Sequence, residues 1–305
     1  MKQFNNQNII IMNRRQFINK SAALLAVSAI ATQEIFAAAK PNKGRIGIQL
    51  YSIKDDLPKD VTGSLKKLSA MGYSSVELYG YNGEKFLDRT VKEMSVLLKD
   101  LGMTISGTHT GSGILPENTN APEWDFWKKC ADSLKAGGAK WAVQSYMPGP
   151  TKTIDDLKRI AAHFNRVAEM CKKHGVKFAF HNHTEVFDKI ENEIILDYII
   201  HNTDPKLMFF QLDLGHTVNG GGDCVRYLRD FPGRIPLWHA SDFDAVNRKY
   251  TEVGKGSVPY PALFDLAKSS GLENLTVEQE TGGEIFASCK ADFDYLKQFK
   301  WTKLS

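Results

Sequence analysis

The 305-residue sequence predicts an α/β protein of the (β/α)8 TIM-barrel class, folded as a single domain from residue 40 to 305. Three observations predict it. Short β-rich runs alternate eight times with segments of helical period. The stretch from Lys40 onward divides into units of about 33 residues, the size of one strand–helix repeat. Chemistry-bearing residues sit at strand ends, where such a barrel gathers its site. A doubly wound open sheet is the alternative architecture, but no GxGxxG follows the first strand, and no linker or break in composition divides the chain.

Taken in order, the strand candidates are residues 45–50, 75–78, 104–108, 140–145, 176–181, 207–213, 235–240 and 275–278, each a short apolar, β-branched or aromatic run. Helices are expected to begin near Val61, Lys85, Pro122, Ile154, Ile190, Asp223, Pro259 and Ile285. The clearest starts at Ile154, where Ile154, Leu157, Ala161, Phe164, Ala168 and Cys171 make one apolar stripe. Thr153 can cap it, and His174-Gly175 supplies a basic last turn and a glycine stop, which makes His174 structural. His163 and His201 read as helix-surface residues.

Composition is that of an ordinary globular protein, 42% hydrophobic and 24% charged. The first forty residues differ. Arg14-Arg15 precedes the apolar run Ser21 to Ala31, and small residues follow at Ala37-Ala38-Ala39, the order of a cleaved export signal. The run is shorter than the ~20 residues of a membrane span, so residues 1–39 are read as a removed signal and no stable membrane anchor is expected. Arg14-Arg15 followed by Phe17-Ile18 resembles a twin-arginine signal, with an ordinary secretory signal as the alternative and Met12 as an alternative start. A periplasmic or otherwise exported location is expected. Removal of residues 1–39 takes the formal charge from +4 to +1, since Lys2, Arg14, Arg15 and Lys20 leave with Glu34. No basic footprint for nucleic acid remains. Cys130, Cys171, Cys224 and Cys289 are too widely spaced for a compact thiolate site and are expected free and buried. The sequence admits a homo-oligomer without specifying one.

The strand ends collect Gln49 and Tyr51; Glu77 and Tyr79; His109; Gln144; His181, His183 and Glu185; Asp213 and His216; His239 and Asp242; Glu278 and Glu280. Five of the eight histidines fall among them. In "KFAFHNHTEVF", alternation would put His181 and His183 on one face of a strand, with Glu185 joining them if the strand runs on. Taken alone, a strand-end histidine is more often structural than functional. Together, four strands each offer an imidazole or carboxylate from a rigid element, which is what a divalent cation requires. Tyr51, Tyr79, Trp124 and Tyr146 are candidates to stack on a sugar ring or simply to pack.

With "GIQLYSIKDDL", "VELYG", "LDLGH", "WHASD", "VGKGSVPY" and "VEQE" in this order, the chain after residue 43 resembles the xylose-isomerase-like TIM-barrel superfamily. That is the sugar phosphate isomerase and epimerase group, related to inosose dehydratase and the 3-keto-glycoside lyases. The resemblance implies one divalent metal held by Asp213, His239, Glu278 and a residue of the fifth strand. Where the family commonly has Glu-x-His, this chain has His181-Asn182-His183, so His181 takes the ligand position, with Glu185 as the alternative if the strand runs two residues longer. An imidazole there lowers the ligand charge by one and favours Mn, Zn or Co over Mg.

The activity so implied is a metal-dependent sugar isomerase or epimerase that abstracts a proton beside a carbonyl through a metal-stabilised enediolate. Glu278, His183 and Glu185 are the acid–base candidates. Glu77, His109, His216 and Lys255 are the substrate contacts, and the partner is a small sugar or glycoside. In the family's epimerases carboxylates of strands five and eight both move protons. His181 removes one of them, which shifts weight toward elimination from a keto-sugar or 3-keto-glycoside. A non-catalytic sugar-binding barrel is a third reading, and a DNA-repair nuclease is disfavoured by charge and ligand set. Gly282-Gly283 is read as a tight turn in preference to a phosphate cradle.

Overall fold

The computed structural model describes residues 46–281 and 283–301; residues 1–45, 282 and 302–305 lie outside the described residues, and with them the expected export signal and Gly282. Eight parallel strands close a barrel: β1 Ile46–Gln49, β2 Ser75–Tyr79, β3 Thr104–Thr110, β4 Trp141–Gln144, β5 Lys177–His181, β6 Met208–Asp213, β7 Leu237–Ala240 and β8 Asn274–Val277. Each pairs with its neighbours in sequence and β8 returns to β1, through Ile46 opposite Leu275. Strands β1, β4 and β7 are buried at every position, as parallel strands covered by helices on one side and a filled interior on the other must be.

The interior decides where the chemistry sits. Trp141, Val143, Ala179 and Leu237 form a separate apolar cluster with Phe209 against it. Side chains two residues apart share a face. One step along that face from Ala179, Phe209 and Leu237 therefore brings His181, Gln211 and His239, and a second step along β6 brings Asp213. An apolar layer at the strands' beginnings gives way to a polar layer at their ends, within one register.

The helix Ile154–Lys173 has the expected bounds, with Thr153 and Asp156 forming a reciprocal capping box and Gly175 at φ 81° closing it. His174 bonds Asp132 across 2.7 Å, the structural role expected of it. The four cysteines are free and buried. Other details differ from expectation. The helix expected near Lys85 starts at Val91, because Thr90 and Glu93 form the capping box there. The one expected near Ile190 starts at Ile195, after a hairpin of Lys189–Ile190 and Glu193–Ile194. A second hairpin, Asp242–Asp244 with Lys249–Thr251, was not foreseen. His163 is not a surface residue: it is fully buried, and its Nδ1 accepts the N–H of Leu115 from the loop after β3. His201 is exposed, as read. Trp124 is buried packing, its Nε1–H donating to the Pro116 carbonyl.

Candidate active site

The polar layer closes around one point. His181, Asp213, His239 and Glu278 are all buried, and each offers a donor atom within 4.8 Å of the other three. Among the described residues, Nε2 of His181 and Oδ2 of Asp213 have no hydrogen-bond partner. A buried polar atom left unpaired costs about 1–3 kcal/mol, so two at one point call for a shared partner. Oδ2 of Asp213 lies 4.0 Å from Nδ1 of His239, and Nε2 of His181 lies 3.9 Å from Oε2 of Glu278. Two imidazoles and two carboxylates from four rigid strand ends are a donor set that can hold a divalent cation.

Behind the donors lies a second set of hydrogen bonds. Glu77, buried at the end of β2, accepts from Gln49 at 3.0 Å, from Gln211 at 2.9 Å and from Nε2 of His239 at 2.5 Å. Gln211 turns its carbonyl to Nε2 of His109 at 2.6 Å and Nδ1 of His181 at 3.1 Å. Asp213 is steadied through its other oxygen, which accepts the N–H of His216 at 2.7 Å and the hydroxyl of Ser241 at 2.6 Å. Asn182 takes the N–H of Asp213 at 2.9 Å, joining β5 to β6.

The electrostatics follow from this packing. Burial opposes charge on His239, but Glu77 and Glu278 on either side overcome it and raise its pKa to about 10. The same contact lowers Glu278 to about 2 in spite of burial. Burial dominates at His181, pushing its pKa well down, and at Asp213, pushing it up. His216 is raised to about 9, against burial, by Asp213 and Glu280. Burial and the neighbouring His216 lower His183.

A cavity of about 490 Å³ reaches the donors at Glu278, its wall also including Tyr51, Tyr79, His109, Tyr146 and His183, a size suited to one small molecule. Glu77 lies beneath His109, 3.3 Å from its Nε2. His216 stands beside His183, ring centres 4.8 Å apart, with Nε2 3.4 Å from Glu280.

Two residues singled out from the sequence are not brought to this point. Strand β5 ends at His181 and a 3-10 turn, Thr184–Phe187, follows. Glu185 is exposed on that turn, so the strand extension that would make it a ligand does not exist. Lys255 is exposed and 3.5 Å from Glu252. Its loop is tied down by buried Asp242, which accepts the N–H groups of Phe243, Gly254, Gly256 and Val258 at 2.8–3.1 Å; Asp242 is a loop staple. Gln211 was missed, although its position two residues before Asp213 on an inward face was the available signal. Asn182 and Ser241 carried no comparable mark.

The sequence profile described as "Xylose isomerase-like TIM barrel" matches residues 65–303. The chain belongs to that family. This xylose isomerase-like barrel is 25% identical over 304 aligned positions to the inosose dehydratase of Geobacillus kaustophilus, covering 87% of the chain and 93% of that enzyme. Its fold matches a sugar phosphate isomerase/epimerase of Parabacteroides distasonis with a TM-score of 0.75 at 27% identity, covering 86% of this chain and 96% of that one. The protein IOLI, solved with a bound zinc atom, shares the fold at a TM-score of 0.64 and 14% identity, over 84% of this chain and 99% of that one.

Proposed function

We propose that this xylose isomerase-like barrel is a divalent-metal-dependent enzyme of the isomerase and epimerase type, removing a proton beside the carbonyl of a small sugar or glycoside. The observation that carries the reading is the unpaired pair His181 Nε2 and Asp213 Oδ2, gathered with His239 and with Glu278, which itself lines a sugar-sized cavity. An ion held by these four would supply a Lewis acid for neighbouring carbonyl and hydroxyl oxygens. The donor set, half of it nitrogen, favours Zn, Mn or Co over Mg.

The chain's own groups supply the proton chemistry. Glu278 reaches the cavity wall as an ionised carboxylate; the His239 proton beside it lowers its pKa to about 2, so it becomes an effective base toward bound substrate only once that proton is displaced. His183 lines the same cavity, and burial favours its neutral form; it is the candidate to return a proton or accept a second one. His109 presents its ring to the cavity while Gln211 and Glu77 hold it from behind. Tyr51 and Tyr146 are 44% and 46% exposed at the cavity wall, the setting in which aromatic faces meet a sugar ring.

A second reading, elimination, is favoured by one observation: β5 offers an imidazole where two-base epimerisation needs a carboxylate. With Glu278 as the principal base, loss of a β-hydroxyl after proton removal needs no second carboxylate, and the relatedness to inosose dehydratases supports it. The test is incubation of the purified, metal-analysed protein in D2O with ketoses, inososes and 3-keto-glycosides, followed by NMR. Solvent deuterium beside the carbonyl, lost on chelation, is the expected result; an unsaturated product selects elimination and an inverted carbon selects epimerisation. Absence of both exchange and conversion across the panel would leave the sugar-binding reading in place. The Arg14-Arg15 pattern further supports export of a mature chain beginning near residue 40, which cell fractionation and N-terminal sequencing would test.

A further inference from the structure

We propose that Gln211 is the positioning residue that makes an imidazole workable on the fifth strand, by holding His181 in the tautomer whose free lone pair faces the cation site. The chain of inference begins at Glu77. An ionised carboxylate only accepts hydrogen bonds, so the Gln211 group 2.9 Å and 3.2 Å from its two oxygens is the NH2. The amide carbonyl then necessarily faces the histidines. Nδ1 of His181, 3.1 Å from that carbonyl, must carry the proton, and so must Nε2 of His109 at 2.6 Å. With its proton on Nδ1, neutral His181 has its lone pair on Nε2, the atom that is buried without a partner.

A carboxylate ligand has no tautomers and needs no such control. An imidazole does: with the proton on Nε2 the same side chain in the same place presents an N–H to the cation and cannot bind it. Glu77 serves both imidazoles. It accepts directly from Nε2 of His239 at 2.5 Å, leaving Nδ1 on the cation side, and it orients Gln211, which sets His181. One buried carboxylate, 2% exposed, thus fixes which nitrogen each ring presents. His181 and Gln211 are paired by function, being Cα partners on adjacent strands.

This inference rests on the four donors forming a metal site, and its test separates the two. In metal-free protein labelled with 15N-histidine, the ring resonances lost in a His181→Asn variant are those of His181. They are expected to show protonated Nδ1 and unprotonated Nε2, and a protonated Nε2 would overturn the proposal without any metal present. Zn²⁺ affinity is then measured by chelator competition in a four-protein cycle. Gln211→Leu is expected to weaken binding on the order of 10- to 100-fold. In the His181→Glu background the same change is expected to cost no more than about twofold, the scatter of uncoupled sites. Equal losses in both backgrounds would mean that Gln211 only packs the core, and would overturn the proposal. If wild-type protein binds no divalent ion, the metal reading fails while the tautomer measurement still decides the role of Gln211. The wild-type spectrum also remains decisive should Gln211→Leu fail to fold.

Discussion

Nδ1 of His239 donates to Oε2 of Glu278 across 2.7 Å, so a proton occupies the line between two of the four donors. Any cation bound by both must displace it. Metal binding is therefore expected to release a proton, because His239, with a pKa of about 10 in the metal-free protein, is protonated at neutral pH. The apparent affinity should rise about tenfold for each pH unit toward 10, as one-proton competition requires. Calorimetry in buffers of different ionisation enthalpy measures the released proton directly, and a pH-independent Kd would contradict it.

The same pair fixes how the metal-free protein responds to pH. His239 is raised above the ordinary histidine value of ~6.5, so its contribution is complete below that value and is lost as pH climbs through about 10. Glu278 is lowered, so its contribution is complete above the ordinary value of ~4.3 and is lost as pH falls through about 2. Metal-free Tm is expected to be highest between the two ordinary values and to fall on either side. Saturating Zn²⁺ should flatten the alkaline limb, since the ion takes over the role of the proton. Scanning calorimetry with and without chelator tests this.

In the proposed cation site, Asp213 would be a functional group held against stability. Burial raises its carboxyl pKa, and Oδ2 has no partner among the described residues. Its ionisation thus becomes a burden as pH rises. Asp213→Asn keeps an acceptor for His216 N and Ser241 Oγ and removes the buried charge. At pH 8 the metal-free variant is expected to melt no lower than wild type, while the rise in Tm on adding Zn²⁺, and turnover, disappear. A large fall in metal-free Tm would show that Asp213 has a structural role as well.

Asp242 and Lys255 should divide cleanly. Asp242→Ala strands four backbone N–H groups, each worth about 1 kcal/mol or more. It should lower Tm by several degrees and speed hydrogen exchange over residues 253–258, with Zn²⁺ affinity little changed. Lys255→Ala and Glu185→Ala change exposed groups and should leave kcat/KM within about twofold of wild type, the small effect expected of surface sites. A tenfold loss in either would bring that residue back to the substrate.

The architecture was legible because it obeys a period, and the donors because the strand-end motifs resemble those of a known family. Alternation and barrel closure gathered the strand-end residues as a group, the family resemblance singled out Asp213, His239 and Glu278 among them, and the structure brings the donor atoms of these three within 4.8 Å of one another together with His181. Gln211 obeyed the same alternation but carried no ionisable group to draw notice. His163 escaped because the apolar stripe read from the sequence omits Ile160 and Val167, which are buried beside it at helical spacing, and because its hydrogen-bond partner, Leu115 N, comes from a distant loop. The exposed position of Lys255 was not legible because loop direction is set by Asp242 reaching 12 to 16 residues along the chain, a range that local pattern does not encode.

Trp141, Val143, Ala179 and Leu237, with Phe209 against them, stopper the end of the barrel opposite the donors. Among the described residues this leaves, along the barrel's axis, the mouth flanked by Tyr51 and Tyr146 as the way in and out for the substrate of the proposed enzyme. For the proposed enzyme, turnover would then be a matter of queueing: a spent molecule would have to back out past those rings before its successor could enter, so a tight grip at the mouth would slow release.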